Sequence, residues 1–186
     1  MKTPSQNTPS ISVKHLTLTG VMTAVICILG PLSIPLPMSP VPITFTNLAI
    51  YLAVFVLGMK FGTISYIIYL LLGAVGLPIF SSFSGGLGKL AGPTGGYLIG
   101  FIFMALIAGF FIEFFPGKLL FSVIGMAAGT AICYLVGTLW LARQMNLTFI
   151  AAFSVGVIPY LAGDLIKIII AAFLGPKLRA AVLRLS

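Results

Sequence analysis

Residues 157–170 read Val-Ile-Pro-Tyr-Leu-Ala-Gly-Asp-Leu-Ile-Lys-Ile-Ile-Ile, an apolar run that contains one acid and one base. A charged side chain at membrane depth costs roughly 2.5 to 3.5 kcal/mol on insertion scales, so charges found there are usually functional. The chain has only 2 acidic residues among 186, and Asp164 is one of them. Asp164 and Lys167 are therefore the first candidates for a functional site.

The composition around this run is that of a membrane protein. Hydrophobic residues make up 60% of the chain and charged residues 6%, whereas about a quarter of the residues in soluble domains are charged. Several apolar runs approach the ~20 residues that cross a bilayer, and they lack the alternation of a transmembrane barrel. The sequence predicts an all-α integral membrane protein with six transmembrane helices in one compact bundle, located in the cell membrane and in contact with the lipid bilayer.

The boundaries follow from the apolar runs and from the Gly, Pro and Lys clusters between them. We predict a single domain, 1–186, with a flexible cytoplasmic N-terminus at 1–13, a turn at 58–62 and an outer glycine-rich loop at 78–94. Residues 31–42 contain too many prolines to be helical. Pro159 either kinks the last apolar region or begins its helix, and we favour the second interpretation. The predicted helices are 16–29, 43–57, 63–77, 95–114, 119–141 and one within 149–174.

The distribution of basic residues predicts the orientation. With six spans, one side carries seven basic residues and the other carries Lys89 and Arg143; the seven are Lys2, Lys14, Lys60, Lys118, Lys177, Arg179 and Arg184. The side rich in Lys and Arg is cytoplasmic, so both termini are expected there. This topology accounts for most of the net charge of +8, and the basic and aromatic stripe of a nucleic-acid groove is absent. We expect no nucleic-acid partner.

Catalytic and nucleotide-binding motifs are not expected in this chain. His15 is the only histidine, so a metal centre built on imidazoles cannot be assembled. Gly88-Lys89 resembles the end of a Walker motif, but Leu90 stands where a Ser or Thr must hold magnesium. We therefore predict no enzymatic activity and no cofactor, and any ATP hydrolysis is expected on a separate subunit.

Small residues recur every fourth position in three of the predicted helices, and in the fourth helix they are Gly96 and Gly100. In the fifth helix they are Gly125, Gly129, Cys133 and Gly137, and we interpret this stripe as a helix-packing face. In the first helix they are Gly20 and Ala24, which form either a packing face or a contact with another membrane subunit.

Asp164 and Lys167 are three residues apart, so on a helix they lie on one face and present an acceptor beside a donor. One interpretation is an ion pair that only fixes the last helix; the other is a polar ligand site. If the helix begins near Pro159, Asp164 is about 7 to 8 Å below its outer end. That depth is within reach of the proline segment and the glycine-rich loop.

Three segments resemble the BioY family, the biotin-specific S-components of energy-coupling factor (ECF) transporters. They are Pro40-Val-Pro-Ile-Thr-Phe-Thr-Asn47, Gly85-Gly-Leu-Gly-Lys-Leu-Ala-Gly-Pro-Thr-Gly-Gly-Tyr-Leu-Ile-Gly-Phe101 and Pro159-Tyr-Leu-Ala-Gly-Asp-Leu-Ile-Lys167. The resemblance implies a subunit that captures biotin from outside and associates with a transmembrane coupling protein and two ABC-type ATPases. In the family, an Ala-x-x-x-Ala stripe on the first helix contacts the coupling protein, and Gly20 and Ala24 occupy the similar positions here.

The resemblance and the side-chain chemistry together predict a set of substrate-binding residues. Asp164 is expected to accept the ureido N–H groups of biotin, and Lys167 to bind the ureido carbonyl or keep Asp164 ionised. The other candidates are Thr44 and Asn47, the backbone of Gly85, Gly86 and Gly88, the walls Tyr97 and Tyr160, and Lys89 for the valerate carboxylate. A proton-coupled secondary transporter of a small vitamin-like solute, using Asp164, and a scaffold without a ligand are the alternatives.

Overall fold

A computed structural model describes residues 13–184, which form a bundle of membrane-spanning helices. The predicted flexible N-terminus, 1–13, lies outside the described residues except for Val13. Four helical stretches are long and apolar enough to cross a membrane, and a shorter apolar helix, α1 (Val13–Leu29), precedes them. The four are Thr46–Ala74, Gly95–Phe114, Leu119–Gln144 and Phe149–Arg184.

The stretch Thr46–Ala74 is two helices, because Gly58 has non-helical angles of φ 78° and ψ −179°. A Cβ on Gly62 would lie 2.8 Å from the Cα of Val54, whereas residues eight apart in a continuous helix are separated by about 12 Å. The chain therefore reverses at Gly58, between α2 (46–57) and α3 (59–74). With α4 (Gly95–Phe114), α5 (Leu119–Gln144) and α6 (Leu161–Arg184), the described residues contain the six predicted spans.

The reversal at Gly58 is stabilised by the second acid of the chain. The backbone N–H of Met59 donates to Oε2 of Glu113 at 2.9 Å. A carboxylate at this position satisfies a free N–H at the start of α3 and lies at the positive end of the helix dipole. Because one glycine makes the turn, α3 begins at 59 and not at the predicted 63.

A β-hairpin forms the first outer connection, where the sequence predicts only a non-helical segment. Strands β1 (Ser33–Leu36) and β2 (Ser39–Thr44) pair antiparallel, with Ile34 opposite Ile43. Proline cannot donate to a ladder and is confined to edge positions, so a proline-rich segment carries little strand signal. The second helix consequently begins at Thr46 and not at the predicted 43.

The glycine-rich loop is folded against the bundle. It contains a 3-10 turn, Ser81–Phe83, and a short helix, Leu87–Ala91. The N–H of Gly86 donates to the carbonyl of Gly73 in α3 at 2.7 Å, and the indole N–H of Trp140 in α5 donates to the carbonyl of Gly92 at 2.9 Å. The loop is thereby attached to two helices.

Pro159 lies in a single 3-10 turn, Ile158–Tyr160, directly before α6. A short helix, Phe149–Gly156, precedes this turn. Pro159 therefore marks the beginning of α6, as predicted, and it also produces a bend within a longer helical region. Asp164 lies in the first turn of α6, where the helix dipole favours a negative charge.

The small-residue stripes of α5 and α1 differ in what they contact. In α5, a Cβ on Gly129 would lie 3.1 Å from the Cα of Met104 in α4, and a Cβ on Gly137 would enter the ring of Tyr97. This stripe is a packing face between α4 and α5. A Cβ on Gly20 would meet nothing within 4 Å, and both Gly20 and Ala24 are exposed on α1.

Replacing Gly58 with alanine tests the helix reversal. The backbone region that Gly58 occupies is essentially restricted to glycine, and other residues there are strained by about 1 to 3 kcal/mol. Gly58→Ala should lower the thermal unfolding midpoint of the detergent-solubilised protein. Gly20→Ala is the matched control, because a helical Gly to Ala change is expected to be neutral or to stabilise by about 0.5 to 1 kcal/mol. Equal unfolding midpoints for the two variants would contradict a reversal at Gly58.

Candidate functional site

A cavity opens within the outer half of the bundle, below the hairpin and the glycine-rich loop. It encloses about 690 Å³ when the open space at its mouth is included. Aromatic and apolar side chains form most of its walls, among them Leu98, Phe101 and Met104 of α4. Its polar lining comes from Thr44, Thr46, Asn47, Ser81, Thr94, Thr130, Tyr134, Tyr160, Asp164 and Lys167.

The carboxylate of Asp164 is buried in this cavity and accepts three hydrogen bonds. Its Oδ1 accepts from Nδ2 of Asn47 in α2 and from Nζ of Lys167 in α6, both at 2.8 Å. Its Oδ2 accepts from the hydroxyl of Tyr134 in α5 at 2.5 Å. A buried carboxylate is strongly destabilising unless donors compensate it, and here three helices supply them.

The ammonium of Lys167 links α6 to the hairpin. It donates to the backbone carbonyl of Thr44 at 2.6 Å as well as to Asp164, and it lies 6.0 Å from the ring centroid of Phe45. Only 7% of Lys167 is exposed. The donor and the acceptor that the sequence places on one face are thus both buried and in contact.

Two tyrosines close the remaining sides of the cavity. The hydroxyl of Tyr160 donates within the hairpin, where the carbonyl of Val41 and Oγ of Ser39 are its partners. The hydroxyl of Tyr97 donates to the carbonyl of Gly156 at 3.0 Å. Each hydroxyl is bound to the protein, so the rings present mainly apolar surface to the cavity.

Comparisons with known proteins identify the family of this chain. The BioY family model matches residues 2–184. The chain belongs to the BioY family. A protein named biotin transporter BioY from Thermotoga maritima is 39% identical over 167 residues, which are 90% of this chain and 96% of that relative. A protein of the same name from Rhizobium etli is 38% identical over 174 residues, covering 89% and 92% of the two chains.

A solved structure extends the agreement to three dimensions. It is described as the S-component for biotin from an ECF-type ABC transporter, and it has a TM-score of 0.85 and 33% identity to this chain. The match covers 97% of this chain and 95% of that chain. The predicted family, the six-helix membrane fold and the multi-pass membrane location are therefore confirmed.

Six of the predicted substrate-binding residues of this BioY-family chain line the one cavity. They are Thr44, Asn47, Tyr97, Tyr160, Asp164 and Lys167. These residues come from distant parts of the chain. Asn47 and Asp164, which are joined by a hydrogen bond, are 117 residues apart in the sequence.

Gly85, Gly86, Gly88 and Lys89 do not line the cavity. A Cβ on Gly85 would lie 2.3 Å from the carbonyl oxygen of Leu77, so this glycine permits close contact between the loop and the end of α3. Lys89 lies in the short helix of the loop, where burial lowers the pKa of its ammonium. A role for these four residues in substrate binding stays a prediction.

Tyr134 is a site residue that the sequence analysis does not identify. It lies in α5 next to Cys133 and is one of the few polar side chains in that span. An aromatic residue beside a glycine stripe is typical of packing, and nothing local relates it to Asp164 thirty residues later. Ser81 and Thr94, at the two ends of the glycine-rich loop, also line the cavity.

Replacing Tyr134 with phenylalanine should destabilise the protein, because Asp164 loses one of its donors. Hydrogen bonds to charged groups contribute about 1.5 to 3 kcal/mol, and neutral ones about 0.5 to 1.5 kcal/mol. Tyr66→Phe is the matched control, because Tyr66 donates to the neutral carbonyl of Leu98. Equilibrium unfolding in mixed micelles with increasing SDS should show the larger loss for Tyr134→Phe. A smaller loss than that of Tyr66→Phe would contradict the charge-assisted bond.

Proposed function

We propose that this chain is the biotin capture subunit of an ECF-type ABC importer, binding biotin from the outer side and delivering it to a separate ATP-driven module. Membership of the BioY family and the names of its relatives support this proposal. The observation that carries it is the buried group of Asn47, Asp164 and Lys167 in the outer cavity.

The unused hydrogen-bonding capacity of these three side chains matches the ureido ring of biotin. A carboxylate accepts about four hydrogen bonds and an ammonium donates three. Asp164 accepts three bonds and Lys167 donates two. The side-chain oxygen of Asn47 accepts only from the N–H of Leu48. Acceptor positions on Asp164 and Asn47 and one donor position on Lys167 therefore remain.

The ureido ring offers two N–H donors and one carbonyl acceptor, so its polarity is the complement of that arrangement. Charge-assisted hydrogen bonds are about twice as strong as neutral ones, and the low exposure of Asp164 and Lys167 keeps water from competing. We assign the two N–H groups to Asp164 and Asn47, and the carbonyl to Lys167.

The rest of the cavity suits the rest of biotin. Tyr97 and Tyr160 would pack against the thiophane ring, since their hydroxyls are already bound. The valerate chain would then extend toward the mouth, where Lys89 and the loop N–H groups are candidates for its carboxylate. The chain itself would carry out no reaction.

Transport requires partners in this proposal. A transmembrane coupling protein and two ABC-type ATPases would supply the ATP-driven step. The exposed stripe of Gly20 and Ala24 on α1 is our candidate for the contact with the coupling protein, because small residues there allow the close approach of another helix. The open space around Gly20 is consistent with that role.

Asp164→Asn should abolish tight biotin binding measured by calorimetry in detergent. Truncating one partner of a buried charge pair costs about 2 to 5 kcal/mol in binding, because the other charge is left unpaired. Glu113→Gln is the matched control, since it removes the same charge at the opposite end of the bundle and should bind biotin as the parent does. A parental affinity in Asp164→Asn would refute the assignment of Asp164.

Uptake into proteoliposomes separates this proposal from a proton-coupled carrier. We expect ATP-dependent biotin uptake when the coupling module is present. Uptake by the protein alone, driven by an imposed pH gradient, would instead support the carrier.

Ala24→Trp should reduce copurification of the coupling protein while leaving biotin binding unchanged, because a large ring on this stripe blocks close helix approach. Leu120→Trp is the control, since Leu120 is 68% exposed and lies on α5. Equal copurification of the two variants would place the contact elsewhere.

A further inference from the structure

A second cavity lies at the end of the bundle opposite the substrate cavity. It encloses about 420 Å³ with its open mouth included, and it lies between the ends of α2 and α4, the start of α5 and the later part of α6. Phe55, Ile112 and Leu119 form apolar walls, whereas Ser122 and Arg179 are polar. Neither the family assignment nor the proposed function uses these residues.

Ser122 contributes to this cavity a hydroxyl that has no hydrogen-bond partner among the described residues. The residue is 6% exposed, and within residues 13–184 its hydroxyl makes no hydrogen bond, although its backbone N–H donates to the carbonyl of Lys118. The hydroxyl is therefore free to bind a polar atom that enters the cavity.

The electrostatics of the cavity favour an anion. Arg179 is half-buried there. Among the described residues, the salt bridge is the one between Lys167 and Asp164, so no side-chain carboxylate is paired with Arg179. Helix α5 begins at Leu119 with no acid in its first turn and no side-chain cap, which leaves N–H groups and the positive end of the helix dipole at the cavity. Glu113 is directed instead to the N–H of Met59.

We propose that this cavity binds the phosphate of an anionic phospholipid. Arg179 and the hydroxyl of Ser122 would donate to the phosphate oxygens, and the apolar walls would contact the acyl chain. A lipid fits better than a free ion because four of the seven lining residues have apolar side chains. In addition, the exposed Lys118 and Lys177 are next in the chain to the lining residues Leu119 and Pro176, and the exposed Lys60 lies at the start of α3. Such clusters attract the anionic lipids of the cytoplasmic leaflet.

Native mass spectrometry of the detergent-solubilised protein tests this proposal, with titration of phosphatidylglycerol, phosphatidylcholine and inorganic phosphate. We expect phosphatidylglycerol to bind tightest. Arg179→Gln should weaken its binding about tenfold, because a charge-assisted bond is lost, and Ser122→Ala about threefold. Arg184→Gln and Ser154→Ala are the matched controls, since both residues are exposed and neither lines the cavity; both should bind the lipid as the parent does.

Three results would overturn the proposal. Equal weakening by Arg179→Gln and Arg184→Gln would mean that diffuse surface charge attracts the lipid. Equal affinity for the two lipids would mean that the anionic headgroup is not recognised. Binding of inorganic phosphate as tightly as phosphatidylglycerol would assign the site to a free anion.

Folding of each variant is checked by size-exclusion chromatography and near-ultraviolet circular dichroism. If Arg179→Gln does not fold, the affinity of Ser122→Ala for phosphatidylglycerol tests the proposal. This variant should fold, because the hydroxyl that it removes makes no hydrogen bond to the protein. Biotin is not needed in these titrations, so their outcome is independent of the proposed transport function.

Discussion

The burial of the Asp164 carboxylate is the constraint on which the outer half of the molecule depends. An uncompensated charge at this depth would be strongly destabilising, and removing one partner of a buried pair costs about 3 to 5 kcal/mol. Donors from Asn47, Tyr134 and Lys167 compensate it. Because these donors belong to α2, α5 and α6, the same three bonds that stabilise the charge also fix the positions of the helices around the cavity.

The ion pair continues into the outer connections. Lys167 binds the carbonyl of Thr44, and Tyr160 binds the hairpin at Val41. The hairpin in turn contacts the glycine-rich loop, where Oγ of Ser33 and Oγ of Ser82 are 2.9 Å apart. A ligand at the proposed site would therefore bind the same ammonium that holds the hairpin, and its binding would act on the outer connections.

The two ends of the bundle differ in charge and in the type of site that they can form. The outer cavity combines an acid with a base and suits a neutral polar ring. The opposite end has a cavity with Arg179 and an unpaired Ser122 hydroxyl, and its one described acid, Glu113, binds the start of α3. In our two proposals, the substrate is recognised at one end of the bundle and an anionic lipid is bound at the other.

The sequence by itself determined the membrane class, the number of spans and the placement of Asp164 and Lys167 on one helix face, because apolar run length and a spacing of three residues are local properties. It did not determine that Tyr134 donates to Asp164. It also did not determine that Gly86 donates to the carbonyl of Gly73 in α3 and lies outside the cavity. Those relations join segments far apart in the chain, and packing between helices sets them. Likewise, Gly58 was recognisable as a turn residue, but only the tertiary structure showed that one residue reverses the chain.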